Sequence, residues 1–384
     1  MITGFTCIIN DIYPFFITYN AGVDITTMNI GIPKETKIGE FRVALIPDHV
    51  KLLTEAGHMV FVQKDAGKKC KFSNRKYEKA GAIITDDVSD CEMIVRVKEP
   101  QLHTIKKNQL IMGYLHVEKG QNPLLLRKLL DQNTTSYAYE EIRDEKGNRL
   151  VNLGSEAGIV GMYEGLRLYG KVLEKKGFDN RFKKLKPIKT YFCIQDVYKA
   201  LQEAKVHNNV NVYILGKGKV SAGAQEVLKY TEIKPNVLYR DRTIYIDQYL
   251  PKADIIVNAV DWYPGEPRII TKDMLNLMKK TAVIIDISCD ENGAIESCIP
   301  TKWQKPTYVY NGITHSCIDN LPSAVPRDAS IHLSNMIIPH VLKVASSKEL
   351  DTGLMTKNGI FEYAKDKGVL HIFNEILTPI EDTA

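Results

Sequence analysis

Two sets of residues in this 384-residue chain have the types and spacing that do chemistry. The first is the run Val212-Tyr213-Ile214-Leu215-Gly216-Lys217-Gly218-Lys219-Val220-Ser221-Ala222-Gly223-Ala224. An apolar strand enters a tight glycine turn and passes at once into a helix. Backbone N–H groups and the positive end of the helix dipole then face the space above the turn, which suits a pyrophosphate. Gly216 permits the turn, Gly218 lets the backbone approach the phosphates, and Lys219, Val220 and Ser221 open the helix, with Ser221 where a third glycine is usual. The next apolar run ends in Tyr239-Arg240-Asp241-Arg242. Asp241 suits the ribose hydroxyls of NAD, whereas Arg240 and Arg242 suit the extra phosphate of NADP, so either cofactor is expected, with NAD ahead. The second set is Lys98, His116 and Glu140: an amine, an imidazole and a carboxylate, each just after a short β-rich run. Functional groups of parallel α/β sheets collect past the carboxyl ends of strands. An imidazole titrates near neutrality, and a lysine held between an apolar strand and Glu99 loses part of its hydration, which lowers its pKa.

The elements that position these groups follow from hydrophobic periodicity. In the first half, strands are predicted at Ile30–Ile32, Met59–Gln63, Ile83–Ile84, Met93–Val97, Leu110–Tyr114 and Thr135–Tyr139, with helices at His49–Ala56, Asn74–Ala80 and Pro123–Gln132. A long helix over Ser155–Leu173 carries Gly158, Gly161 and Gly165, whose spacing reads as close packing on a neighbouring sheet. After a polar connector and a helix near Asp196–Ala204, a second alternating unit begins. Its strands are Val212–Leu215, Val237–Tyr239, Ile255–Ala259, Val283–Ile287 and Tyr308–Tyr310, with a helix at Val220–Lys229. A strong helix at Ala329–Ser346 and weaker ones near Gly359–Lys367 and His371–Glu375 end the chain. Strands alternating with helices indicate α/β units with parallel sheets, and the length suits two domains.

Composition excludes several classes. Hydrophobic residues make up 44% and charged residues 25%, the balance of a folded globular chain. The net charge of +5 is small, and the basic stretch Lys171–Lys189 has no interleaved aromatics or nucleic-acid motif, so it reads as a solvated connector. The seven cysteines form no C-x-x-C pair and no zinc spacing; no metal is expected, and reduced thiols in a cytoplasm are. No apolar run is long enough for a membrane span. Residues 1–27 lack the basic start of a secretory signal and read as an extension before a functional start at Met28.

Several segments together resemble the alanine dehydrogenase superfamily, which includes nicotinamide nucleotide transhydrogenase, lysine-forming saccharopine dehydrogenase and carboxyethylornithine synthase. They are Gly31-Ile32-Pro33-Lys34-Glu35, Arg42-Val43-Ala44-Leu45-Ile46-Pro47, Val97-Lys98-Glu99-Pro100, Tyr114-Leu115-His116, Asp286-Ile287-Ser288-Cys289-Asp290 and Asn320-Leu321-Pro322-Ser323-Ala324-Val325-Pro326-Arg327. The spacing Gly154-Ser155-Glu156-Ala157-Gly158-Ile159-Val160-Gly161, the run Ile318-Asp319-Asn320-Leu321-Pro322, Arg149 and the glycine loop look more like the saccharopine dehydrogenase and carboxyethylornithine synthase branch. Thr314-His315 and Ala324-Val325-Pro326-Arg327 look more like alanine dehydrogenase itself.

The resemblance implies two Rossmann-like, doubly wound parallel-sheet domains with an interdomain cleft. Residues 28–153 and 327–384 would form the substrate domain, completed by the C-terminal helices, and 154–326 an inserted dinucleotide-binding domain. The implied activity is an NAD(P)-dependent oxidoreductase acting on the CH–NH bond of an amino acid, in an oligomer of identical chains. Arg42 is then the carboxylate anchor, Lys98 the group that polarises the carbonyl, and His116 the general acid–base. Glu99 and Glu140 tune these groups or meet a substrate amine, while Asp290 and Asp319 stand at the junction of nicotinamide and substrate. Arg149 suits a second carboxylate, as in a saccharopine-like product. Alanine dehydrogenase is the alternative within the class, and a nucleotide-binding subunit without turnover is the alternative outside it.

Overall fold

The apolar runs assemble into two sheets in the computed structural model, which describes residues 27–118, 122–206, 209–263 and 265–363. The first half supplies β1 (Asn29–Ile32), α1 (Pro47–Glu55), β2 (Met59–Gln63), α2 (Asn74–Lys79), β3 (Ile83–Thr85), β4 (Met93–Val95), β5 (Leu110–Gly113), α3 (Pro123–Asp131) and β6 (Thr135–Ala138). Then come α4 (Gly154–Lys175), α5 (Ile194–Ala204), β7 (Val212–Leu215), α6 (Lys219–Leu228), β8 (Asn236–Leu238), α7 (Arg240–Thr243), β9 (Ile255–Asn258), β10 (Val283–Asp286), β11 (Thr307–Tyr310) and β12 (Ile313–Ser316). The chain closes with α8 (Pro326–Ala345), β13 (Leu354–Lys357) and β14 (Ile360–Phe361).

The first sheet runs β14-β13-β6-β5-β4-β1-β2-β3, parallel except for the hairpin β13–β14 at its edge. One face, with Ile30, Ile32, Val60 and Val62, packs on Val50 and Leu53 of α1 and on Leu333, Ile337 and Val341 of α8. The other, with Ile94 and Ile111, packs on Leu125, Leu126 and Leu129 of α3. Strand order reverses between β1 and β4, so the loops after these two strands diverge and leave a crevice at their carboxyl ends. The second sheet runs β11-β12-β10-β9-β7-β8, parallel except for β11, and reverses between β7 and β9. Val212 and Ile214 face α4 and α5 while Tyr213 and Leu215 face the opposite layer, which is why β7 is apolar along its whole length.

The glycines of α4 do two jobs. Gly161 and Gly165 lie against Ile287 and Ile285 of the second sheet, as their spacing predicts. Gly158 instead meets α6: a Cβ there would stand 2.0 Å from the carbonyl oxygen of Val220.

Two expectations need correction. The weak helix near Gly359–Lys367 is, as far as Phe361, the second strand of a hairpin that extends the first sheet; the two-residue turn Asn358-Gly359 has positive φ at both positions and reverses the chain. A strand at β12 is also present between β10 and β11, reached through the similar turn Asn311-Gly312. The extension up to residue 26 and the helix near His371–Glu375 lie outside the described residues. No helix among the described residues is long and apolar enough to cross a membrane.

Candidate active site

Lys98, His116 and Glu140 lie two or three residues beyond β4, β5 and β6, so three adjacent parallel strands bring them to one sheet edge. The frame that fixes them was not evident from sequence. Glu35, just after β1, reaches across the switch point and accepts hydrogen bonds from the backbone N–H of Val97 at 2.7 Å and of Lys98 at 3.3 Å, and from Arg96 Nη2 at 3.2 Å. Lys98 Nζ stands 5.7 Å over the ring of Tyr114 and makes no ion pair among the described residues. Burial first, then repulsion from Arg42 and Lys37, lowers its pKa, against the opposing pull of Glu99 and Glu40.

His116 holds a left-handed backbone, φ 51°. Glu140 makes that turn possible by accepting from the backbone N–H of Leu115 at 3.1 Å and of His116 at 2.6 Å. The imidazole stacks on Tyr114 at 6.1 Å, with Nδ1 3.6 Å from Glu140 and Nε2 3.9 Å from Glu99. Burial also acts on Glu99, but its own backbone N–H and the cations Lys37, Lys98 and His116 outweigh burial and hold the carboxyl below its ordinary value. Tyr114 thus carries Lys98 on its face and His116 in its stack, a role no single-residue signal announced.

Glu140 behaves differently from Glu99. Burial, followed by the charge of Glu118, pushes its carboxyl up to about 7, although three backbone N–H groups oppose this. Its Oε2 has no partner among the described residues. Because Glu140 titrates higher in the folded chain than in the unfolded one, its protonation favours folding. That stabilisation is fully present below the ordinary value of 4.5 and is lost as the pH rises through about 7. Glu140→Gln keeps a neutral acceptor in place. It is expected to match the wild type in stability near pH 4.5 and to exceed it by ~1–3 kcal/mol at about pH 8. Urea unfolding at the two pH values checks this; equal stability at the higher pH contradicts it.

Arg42 is buried, and its pairing differs from the simple carboxylate fork expected. Nε and Nη2 are already taken by Glu40, at 2.7 and 2.5 Å, and Nη2 also donates to Asn320 Oδ1 at 3.1 Å. Asn320 returns a hydrogen bond from Nδ2 to Glu40 Oε2 at 3.1 Å. Burial pushes Glu40 up, but Arg42 overcomes it and holds the carboxyl at about 2. What remains for a ligand is Nη1, which donates to no described residue. Asn320, rather than the exposed Asp319 beside it, links the two halves of the chain here. Arg149 is half-buried; its backbone bridges Arg143 across the turn that Asp144 closes, and its side chain makes no hydrogen bond or ion pair among the described residues. Its charge reaches the hydroxyl of Tyr114.

The glycine loop fits a dinucleotide. Gly216 has φ 100°, and a Cβ there would stand 2.6 Å from the carbonyl oxygen of Ala259. Gly218 caps α6 with open space where its side chain would be. Ser221 is buried and accepts from Gln225 Nε2 at 3.2 Å, whereas Gly223 makes the tight contact, on Ser155 of α4. Lys219 is exposed, Val220 half-buried against Gly158, and Asp290 lies in the loop after β10. Tyr239 follows β8, and Arg240, Asp241 and Arg242 are the exposed residues of the turn α7.

Residues 31–160 match the family described as "Alanine dehydrogenase/PNT, N-terminal domain", and residues 177–364 its C-terminal counterpart. An alanine dehydrogenase of Halomonas elongata is 31% identical over 335 residues, 83% of this chain and 88% of its own. The chain belongs to the alanine dehydrogenase/PNT family. Another alanine dehydrogenase, from Staphylococcus epidermidis, is 30% identical and spans 92% of this chain and 99% of its own. Among solved structures, an L-alanine dehydrogenase superposes with a TM-score of 0.73 at 26% identity, covering 91% of this chain and all of that one. A transhydrogenase from Sinorhizobium meliloti, at 17% identity and a TM-score of 0.66, shares the fold. These relatives carry the alanine dehydrogenase name, so the leaning of the sequence toward the saccharopine branch is not what family membership supports.

Proposed function

We propose that the protein is a nicotinamide-dependent amino-acid dehydrogenase, with alanine on one side and pyruvate plus ammonia on the other as its principal pair. The observation that carries this reading is the shared locus of Arg42, Lys98, Tyr114 and His116, walled on the far side by Asn320 from the nucleotide-binding half. Relatives named alanine dehydrogenase at 30–31% identity support the choice of substrate.

When bound, the nicotinamide supplies a two-electron donor or acceptor for hydride. The other work falls to the chain. Arg42 offers Nη1 to the substrate carboxylate; because Glu40 neutralises the guanidinium, Lys98 supplies the net positive charge that draws the anion in. Lys98 donates to the oxo oxygen and makes C2 more electrophilic toward ammonia. His116 takes a proton from nitrogen as the C–N bond forms and returns one to the hydroxyl as it leaves as water, so that C2 becomes an imine carbon. Deamination uses the same groups in reverse.

Arg149 favours a second reading. A half-buried guanidinium whose charge acts on Tyr114, and whose side chain is unpaired among the described residues, suits a substrate with a second carboxylate, such as the secondary amine made from an oxo acid and another amino acid. Oxidation of NADH and NADPH with pyruvate or 2-oxoglutarate, each offered ammonia, lysine or ornithine, separates the two. Turnover with pyruvate and ammonia is expected. A rate only with an amino acid as the amine moves the assignment to the second reading, and dinucleotide binding without turnover on any pair contradicts both.

A further inference from the structure

The cofactor-selecting end of β8 is built differently from what Asp241 alone suggests. An acid that recognises the two ribose hydroxyls stands at the carboxyl end of the second strand of a dinucleotide fold. Here that strand ends at Leu238, and the residue at its terminus is Tyr239, which is uncharged and 49% exposed. Asp241 comes later, inside the turn α7, flanked on both sides by guanidinium groups. The turn is held by Thr243, whose backbone N–H donates to the carbonyl of Tyr239 at 2.9 Å and whose hydroxyl donates to that of Arg240 at 3.2 Å.

Position adds to this. β8 and β9 flank β7, whose carboxyl end feeds the glycine loop, so the residues after β8 and after β9 form the two walls beside that loop. Arg240 spans the walls: its Nη2 meets Glu266 at 3.3 Å while the side chain stays 87% exposed. An ion pair so exposed contributes little and is readily exchanged for a stronger anion. Arg242 is exposed and makes no ion pair among the described residues, as is true of Lys217 and Lys219 on the glycine loop itself. Four cations thus stand at this end of the cleft against three carboxylates, Asp241, Asp261 and Glu266. A phosphate monoester is the ligand that uses such a frame, because a guanidinium forms paired charge-assisted hydrogen bonds to its oxygens.

We propose that Arg240 and Arg242 form a 2′-phosphate subsite and that the protein prefers NADP(H) to NAD(H). This rests on the reading that the glycine loop holds a nicotinamide dinucleotide. It reverses the order of preference drawn from Asp241 by sequence.

Calorimetric titration of the full chain with 2′-phospho-ADP-ribose and with ADP-ribose tests the subsite without relying on turnover. The phosphorylated ligand is expected to bind ~10-fold or more tightly, as one or two charge-assisted hydrogen bonds imply. In Arg240→Ala/Arg242→Ala the ratio is expected to fall to about twofold or less, with an unchanged thermal midpoint because both side chains are exposed. Equal or tighter binding of ADP-ribose by the wild type overturns the subsite while leaving the dinucleotide reading intact. An unchanged ratio in the double variant also overturns it, and binding of neither ligand overturns the subsite and the dinucleotide reading together.

Discussion

In Lys98→Met, turnover is expected to fall ~10²–10⁴-fold, the range over which a positioned proton donor contributes, while dinucleotide affinity stays within about twofold. The substitution keeps an unbranched side chain over the ring of Tyr114 and removes only the ammonium. No described acceptor loses a partner, because Lys98 Nζ pairs with none. Lys98 is also a base whose pKa is lowered in the folded state, so its charged form opposes folding at neutral pH. The variant is therefore expected to be at least as stable as the wild type. Loss of activity with retained or raised thermal midpoint separates a chemical role from a structural one. A wild-type rate sinks the assignment.

His116→Asn is expected to lower turnover to a similar extent, ~10²–10⁴-fold. Asparagine is chosen because His116 holds φ 51°, a left-handed conformation that asparagine tolerates and β-branched residues do not. The backbone N–H that donates to Glu140 is retained, so the turn beyond β5 survives. Asparagine has no group that titrates near neutrality, which isolates the loss of proton transfer. Steady-state rates beside dinucleotide binding check it. A variant that keeps its rate shows that His116 only supports Tyr114.

The parallel strands were legible because strands buried on both faces leave uninterrupted apolar runs, as in Val212–Leu215 and Ile255–Asn258. Both edge hairpins were missed, although each carries an Asn-Gly turn, at Asn311-Gly312 and Asn358-Gly359. From the second of these turns onward, the weak periodicity of Gly359–Lys367 suggests a helix where Ile360-Phe361 instead forms a strand. Within the site, the residue types that move protons were visible past the strand ends. The groups that hold them were not: Glu35 acts on backbone N–H groups more than 60 residues away in the chain, with separations of 62 and 63. Asn320 reaches Arg42 across 278 residues. Pairing at such distance leaves no local spacing to read. Arg42 is a different case: Glu40 stands only two residues away, but their bidentate bond depends on burial, which two nearby charges in a sequence do not reveal.

The central claim is that this chain moves hydride between a nicotinamide and C2 of an amino acid at the Lys98–Tyr114–His116 locus. Its most direct test is transfer of label from nicotinamide cofactor deuterated at C4, in both stereochemical forms, to pyruvate and ammonia. Mass spectrometry of the product should find one deuterium on C2 of alanine from one form only, and ~10²–10⁴-fold less labelled alanine from Lys98→Met over the same time. Alanine without label from either form, or no alanine at all from the wild type, would contradict it.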